Sequence, residues 1–348
     1  MTYLYEKAVN PASGLRLHLN ENTGGCSPAV LEALRGLTAE MIAFYPDYSD
    51  AIAAAGERLG VPDANLLLTN GLDEGILAAS VAAVRGAGSR GANAIVIVPA
   101  FEMQAACADA AGARVLTVPL GTNFEFPLRE VRQAIDPATR IIFITTPHNP
   151  TGLLASREAI LEIAASAPNA TVFVDEAYAD FSGVTLLGDP ALSLHPNILV
   201  GRTFAKAYGI AALRCGALIG PAPLLASIRK VLPPYSLNVA AAVALPVALR
   251  DRAYFDWYLD EVHESKRLLY RFLDGAGVPY VRSEANFVLA RFGGRSARVC
   301  HDMAARGIYL RDRSTSHGCD GCVRITTGVA AHTERCIEAL EEVLCAAR

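Results

Sequence analysis

No run of basic residues interrupts this 348-residue sequence, and 31 Lys plus Arg against 35 Asp plus Glu leave a formal charge of only −4. A surface that binds a polyanion needs clustered positive charge, so no nucleic-acid partner is expected. Long apolar runs are missing too. The richest, Ala94–Val98 and Val239–Leu249, fall short of the roughly 20 residues that a bilayer-spanning helix needs, so no membrane role is expected. The opening Met1-Thr2-Tyr3-Leu4-Tyr5-Glu6-Lys7 has no basic cluster followed by an apolar stretch, and no secretory signal is read there. Paired cysteine is scarce: of the eight cysteines, only Cys319 and Cys322 have C-x-x-C spacing. A zinc site wants a second pair, and a thioredoxin-like motif sits early in a βαβ unit, so neither is expected. The thiols read instead as reduced and mostly buried, which implies a reducing, cytoplasmic setting and no metal.

What is present is a large apolar content, 52% over 348 residues. That is enough to bury a core without disulfide or metal staples, and the length suggests two domains. Between about 60 and 220 two textures alternate. Short β-branched runs at Ala94–Val98, Arg114–Val118, Arg140–Thr145, Thr171–Asp175 and Asn197–Val200 predict strands. Ala- and Leu-rich segments at Asp73–Val84, Glu102–Ala111 and Ser156–Ala165 predict helices between most of them. Strands without polar alternation, separated by helices, imply an α/β fold with a mainly parallel sheet covered on both faces. After about 250 the texture changes. A stripe of Phe255, Tyr258, Leu259, Val262, Leu269, Phe272 and Leu273 predicts a long amphipathic helix. Strands at Asn286–Arg291 and Cys322–Thr326 and helices near Ser296–Arg306 and from about Ala331 complete a smaller α+β domain. The expected division is 36–240 for the large domain, with 1–35 and 241–348 forming the small one.

Gly86-Ala87-Gly88-Ser89-Arg90-Gly91 matches the dinucleotide pattern G-x-G-x-x-G, but it follows a predicted helix and leads into a predicted strand. A pyrophosphate site needs the reverse order, so a helix-to-strand loop is the reading here. Chemistry concentrates between 146 and 214. Asn149, in Asn149-Pro150-Thr151-Gly152, follows one strand; Asp175 ends another, with Tyr178 three positions on; Lys206 lies past a third, and Arg214 eight residues further. Each has a plain structural alternative alone, as turn former, helix cap or solvated loop residue. Together they meet one chemical need. An amine at a strand end can form a Schiff base with a carbonyl cofactor, and a carboxylate can keep a pyridinium nitrogen protonated. An amide and a phenol can donate to a ring oxygen, while an arginine and a helix N-terminus neutralise a phosphate.

On these residues the sequence resembles the fold-type I pyridoxal-phosphate aminotransferases of class I/II, and within them it is most similar to the histidinol-phosphate aminotransferases. The likeness runs from Leu19-Asn20-Glu21-Asn22 through Tyr45-Pro46-Asp47, Thr69-Asn70-Gly71-Leu72-Asp73 and Pro99-Ala100-Phe101 to Leu213-Arg214-Cys215-Gly216. It closes with Ser283–Phe287, Leu310-Arg311-Asp312 and Val323-Arg324-Ile325-Thr326. The resemblance implies pyridoxal 5′-phosphate as cofactor and Lys206 as the Schiff-base lysine and proton shuttle. It implies Asp175 on the pyridinium nitrogen, Asn149 and Tyr178 on the ring 3′ oxygen, and Phe101 stacked on the ring. Gly71, Leu72, Asp73, Thr203 and Arg214 would form the phosphate cup, with Tyr45 contributed across a homodimer interface. The family usually has serine before the lysine; Ala205 stands there, so one phosphate hydroxyl is missing, which implies weaker cofactor retention or a water in its place. Arg324, Arg311 and Asn22 are implied to bind substrate. The reaction implied is amino transfer from L-histidinol phosphate to 2-oxoglutarate in histidine biosynthesis. The alternatives are an aromatic amino-acid aminotransferase or a decarboxylase such as one acting on phosphothreonine.

Overall fold

The computed structural model describes residues 11–85 and 91–345. Its centre is a seven-stranded sheet. In spatial order the strands are Leu66–Asn70, Cys215–Ile219, Ile198–Thr203, Thr171–Asp175, Thr139–Thr145, Asn93–Val98 and Arg114–Pro119. Cys215–Ile219 runs antiparallel to both neighbours, and every other pairing but those two is parallel. The apolar strands lack alternation because both faces are covered. Ile142 and Ile144 pack into one core while Ile141 and Phe143, interleaved with them, pack into the other.

Five of these strands fall within three residues of their expected ends, and so do helices Gly71–Arg85, Glu102–Ala110 and Arg157–Ser166. Strands Leu66–Asn70 and Cys215–Ile219 were not expected. Residues 86–90 of the Gly-rich stretch lie outside the described residues; helix Gly71–Arg85 precedes them and strand Asn93–Val98 follows.

A second, antiparallel sheet orders Arg311–Asp312, Cys322–Thr326, Phe287–Arg291 and Tyr280–Val281. Helix Arg252–Ala276 serves both cores: Phe255, Tyr258 and Val262 sit against the large sheet, and Leu269 and Leu273 against the small one. The apolar stretch at 239 is a helix, Val239–Arg250, capped by Asn238 and buried on most sides, which explains its nearly uniform hydrophobicity. Among the described residues no helix is long and apolar enough to cross a membrane. All eight cysteines are free, and five are buried, including Cys319 and Cys322.

Candidate active site

Sheet register builds the site. Asp175 lies opposite Thr145 on one side and Gly201 on the other, so the ends of three parallel strands come level. Beyond those ends the chain places Asn149, Tyr178, Thr203 and Lys206. Helix Gly71–Arg85 starts at the same edge, directly after strand Leu66–Asn70. Open α/β sheets collect ligands at this edge. Here a cavity of about 720 Å³ is lined by Leu72, Asp73, Phe101, Asn149, Asp175, Tyr178, Thr203, Lys206, Arg214, Arg311 and Arg324. Eleven of the fourteen residues singled out from the sequence thus line one cavity.

Asp175 is fully buried, and burial raises its carboxyl to about 6, with Asp73 and Glu176 adding to the effect. The Ala177 N–H donates to its Oδ1 at 3.1 Å and Gln104 to its Oδ2 at 3.2 Å. Among the described residues no lysine or arginine pairs with it. Lys206 lines the cavity and donates from Nζ to the Leu19 carbonyl at 3.1 Å. Burial, with Arg324 nearby, lowers its amine to about 8. A substantial neutral fraction at physiological pH makes it a competent nucleophile and proton carrier.

At the helix start, Gly71 has φ +75, and a Cβ there would sit 2.5 Å from the Arg214 guanidinium. Arg214, itself at φ +58, donates to Asp73 at 2.9 Å. The free N–H groups of the first helical turn, the Thr203 hydroxyl and Arg214 therefore face a common space suited to an anion. A buried carboxylate that lacks a cation and a phosphate-sized cradle along the same wall fit the two polar ends of pyridoxal phosphate.

On the opposite wall Arg324 lies in cross-strand register with Arg311. Arg324 donates to Asn149 Oδ1 at 2.6 Å and to the His18 carbonyl at 2.7 Å. Burial, with Arg313 and Arg311 close by, lowers its guanidinium to about 10, so it stays charged. The Asn149 oxygen is thereby occupied and its N–H₂ donors remain. Tyr178 accepts from Asn20 Nδ2 at 3.0 Å and keeps its own O–H to donate.

Three expected residues are placed elsewhere. Gly71 shapes the cup only by having no side chain. Asn22 does not line the cavity: its amide donates to the Ala207 carbonyl at 3.0 Å, holding the loop that carries Lys206. Buried Asn20 takes the inward position of that segment. Tyr45 is 78% exposed and stacks on Tyr235 with ring centroids 4.2 Å apart. Sequence reasoning also missed Gln104, which joins Thr145 and Asp175, and Arg313, which pairs with Glu102 at 2.7 Å.

Comparison with known proteins places the chain in a family. The family described as aminotransferase class I and II matches residues 12–344. A histidinol-phosphate aminotransferase from Geobacillus sp. (strain WCH70) is 32% identical over 335 residues, which is 95% of this chain and 90% of that protein. The crystal structure of the histidinol-phosphate aminotransferase from Clostridium acetobutylicum superposes with a TM-score of 0.85 at 21% identity, covering 95% and 99% of the two chains. That of L-threonine-O-3-phosphate decarboxylase from Porphyromonas gingivalis gives 0.77 at 23% identity, covering 95% and 99%. At those identities the last two speak to the fold alone, which is fold-type I.

Proposed function

Because the chain belongs to the class I and II aminotransferase family and is a pyridoxal-phosphate-dependent aminotransferase, we propose a narrower reading: its amino donor is L-histidinol phosphate and its acceptor 2-oxoglutarate, as in histidine biosynthesis. The observation that carries this is the arginine pair on the small sheet. Like charges directly opposite each other destabilise a sheet, yet Arg311 faces Arg324 across the ladder. The other arginines of the cavity are matched, Arg16 by Glu21, Arg214 by Asp73 and Arg313 by Glu102. Among the described residues Arg311 and Arg324 have no ion-pair partner of their own, and two such positive charges suit a phosphate of about −1.5 to −2 better than a single carboxylate.

In this reading pyridoxal phosphate, when bound, supplies the electron sink for the carbon that carries the substrate amine. Asp175 holds a proton on the ring nitrogen as a buried ion pair, matched in charge as burial requires. Asn149 and Tyr178 would donate to the ring oxygen, and Phe101 would supply an apolar face for the ring. Arg214, Thr203 and the amides of Leu72 and Asp73 hold the phosphate, without the hydroxyl that Ala205 lacks. Lys206 Nζ would hold the cofactor and would carry the proton to and from the amine-bearing carbon. We further assign the enzyme to the cytoplasm as a homodimer, with Tyr45 of each protomer completing the other's phosphate site. Tyr45, Phe44, Ile42 and Tyr235 are exposed apolar groups that support such an interface.

The test is a half-reaction screen of the cofactor-loaded enzyme against histidinol phosphate, phenylalanine, tyrosine and phosphothreonine, following the visible absorbance of bound cofactor and assaying carbon dioxide. Histidinol phosphate is expected to react at least about tenfold more efficiently than phenylalanine, one extra charged contact being worth that much. Faster reaction with phenylalanine would reassign the donor; carbon dioxide from phosphothreonine without an oxo acid would make the enzyme a decarboxylase.

A further inference from the structure

A second cavity of about 810 Å³ adjoins the first, and Glu102, Arg311 and Arg313 line both. Two guanidinium groups and one carboxylate therefore stand where the two cavities adjoin. Glu102 opens helix Glu102–Ala110 on the large-sheet side. Arg313 reaches it from the small-domain side, donating Nη1 to Oε1 at 2.7 Å, with the arginine buried and the Glu102 side chain 40% exposed. Burial would raise the Glu102 carboxyl, but Arg313 and its own backbone N–H, with Arg311 beyond, hold it below the usual range, so it is ionised. A carboxylate offers about four lone-pair sites, and Arg313 and the Glu102 N–H use two.

A wall meant only to grip an anion gains nothing from an acid, which weakens the field of its neighbours. An acid standing beside the phosphate-binding arginines suits a substrate with a second, hydrogen-donating end. We infer that Glu102 determines side-chain specificity by accepting an N–H from the nitrogen heterocycle of the donor while Arg311 and Arg324 hold its anionic end. This rests on the phosphate-bearing donor proposed above and extends it to a residue not among those singled out from the sequence. The competing role is structural: Glu102 would serve only to neutralise buried Arg313 across the two domains.

The test compares histidinol phosphate with phenylalaninol phosphate, which has the same amine and phosphate and a ring without N–H. The wild-type holoenzyme is expected to favour the imidazole compound at least about tenfold in kcat/KM, through KM, since a hydrogen bond to a charged group has that worth. In Glu102→Gln the preference falls by about tenfold with kcat within about twofold. Glu102→Asp, which keeps the charge but withdraws it, lies between. Arg313→Gln, which removes the ion pair but keeps the carboxylate, retains the preference. Equal use of both compounds by the wild type, an unchanged ratio in a folded Glu102→Gln, or an equal loss in Arg313→Gln overturns the role of Glu102 and leaves the proposed donor standing. A wild type that accepts neither compound overturns both.

Discussion

Burial lifts the Asp175 carboxyl to about 6 and drops the Lys206 amine to about 8, so each is set by the wall it sits in rather than by water. For Asp175 the sign follows from linkage. Its folded value lies above the ordinary 3.8, so the folded state keeps a proton that the unfolded chain has lost. The cofactor-free protein therefore loses stability as pH climbs from about 4 to about 6, and the full cost, on the order of 1–3 kcal/mol, is present above that. A cationic ring nitrogen removes the cost. Asp175→Asn is accordingly expected to make the cofactor-free protein more stable at pH 8, by that amount, while weakening cofactor binding. Chemical denaturation of both proteins between pH 4 and 8 checks this; a difference that does not change with pH would contradict it. Lys206→Ala is expected to cost at least about a thousandfold in turnover with the fold intact by circular dichroism, because the proposed nucleophile and proton carrier would both be gone.

At the scale of elements, the cup depends on how helix Gly71–Arg85 begins. Gly71→Ala puts a methyl against the Arg214 guanidinium and forces an L residue into a left-handed conformation. The expected result is a loss of about 1 kcal/mol or more in stability, seen by thermal melting, and at least about tenfold weaker cofactor retention, seen by fluorescence titration. Central strands such as Thr171–Asp175 were legible because burial on both faces demands unbroken β-branched runs. Leu66–Asn70 and Cys215–Ile219 were not, since Leu-Leu-Leu-Thr-Asn and Cys-Gly-Ala-Leu-Ile carry little strand preference of their own and are held by pairing with each other. The same divide separates the site residues. Asn149, Asp175, Tyr178 and Lys206 stand just past strand ends and announce themselves by position. Gln104, Asn20 and Arg313 meet partners 71, 158 and 211 residues away, and nothing local marks those meetings.

Over the whole molecule, two cores meet along helix Arg252–Ala276, and the cavity takes the wall proposed for the cofactor from one and its paired arginines from the other. We propose the division at 36–240 against 1–35 and 241–348 on that basis, with the helix as the shared spine. The exposed Tyr45 and Tyr235 stack predicts a particle of twice 36.8 kDa by light scattering. Tyr45→Ala is expected to loosen cofactor retention even where the dimer persists, and unchanged retention would count against its place in the neighbouring site. The chain has four lysines, at 7, 206, 230 and 266, which makes one measurement decisive. Borohydride reduction of the enzyme loaded with pyridoxal phosphate, followed by peptide mass mapping, should find the reduced cofactor on Lys206 alone. Label on Lys230 or Lys266 instead, or no stable label at all, would contradict the account at its root.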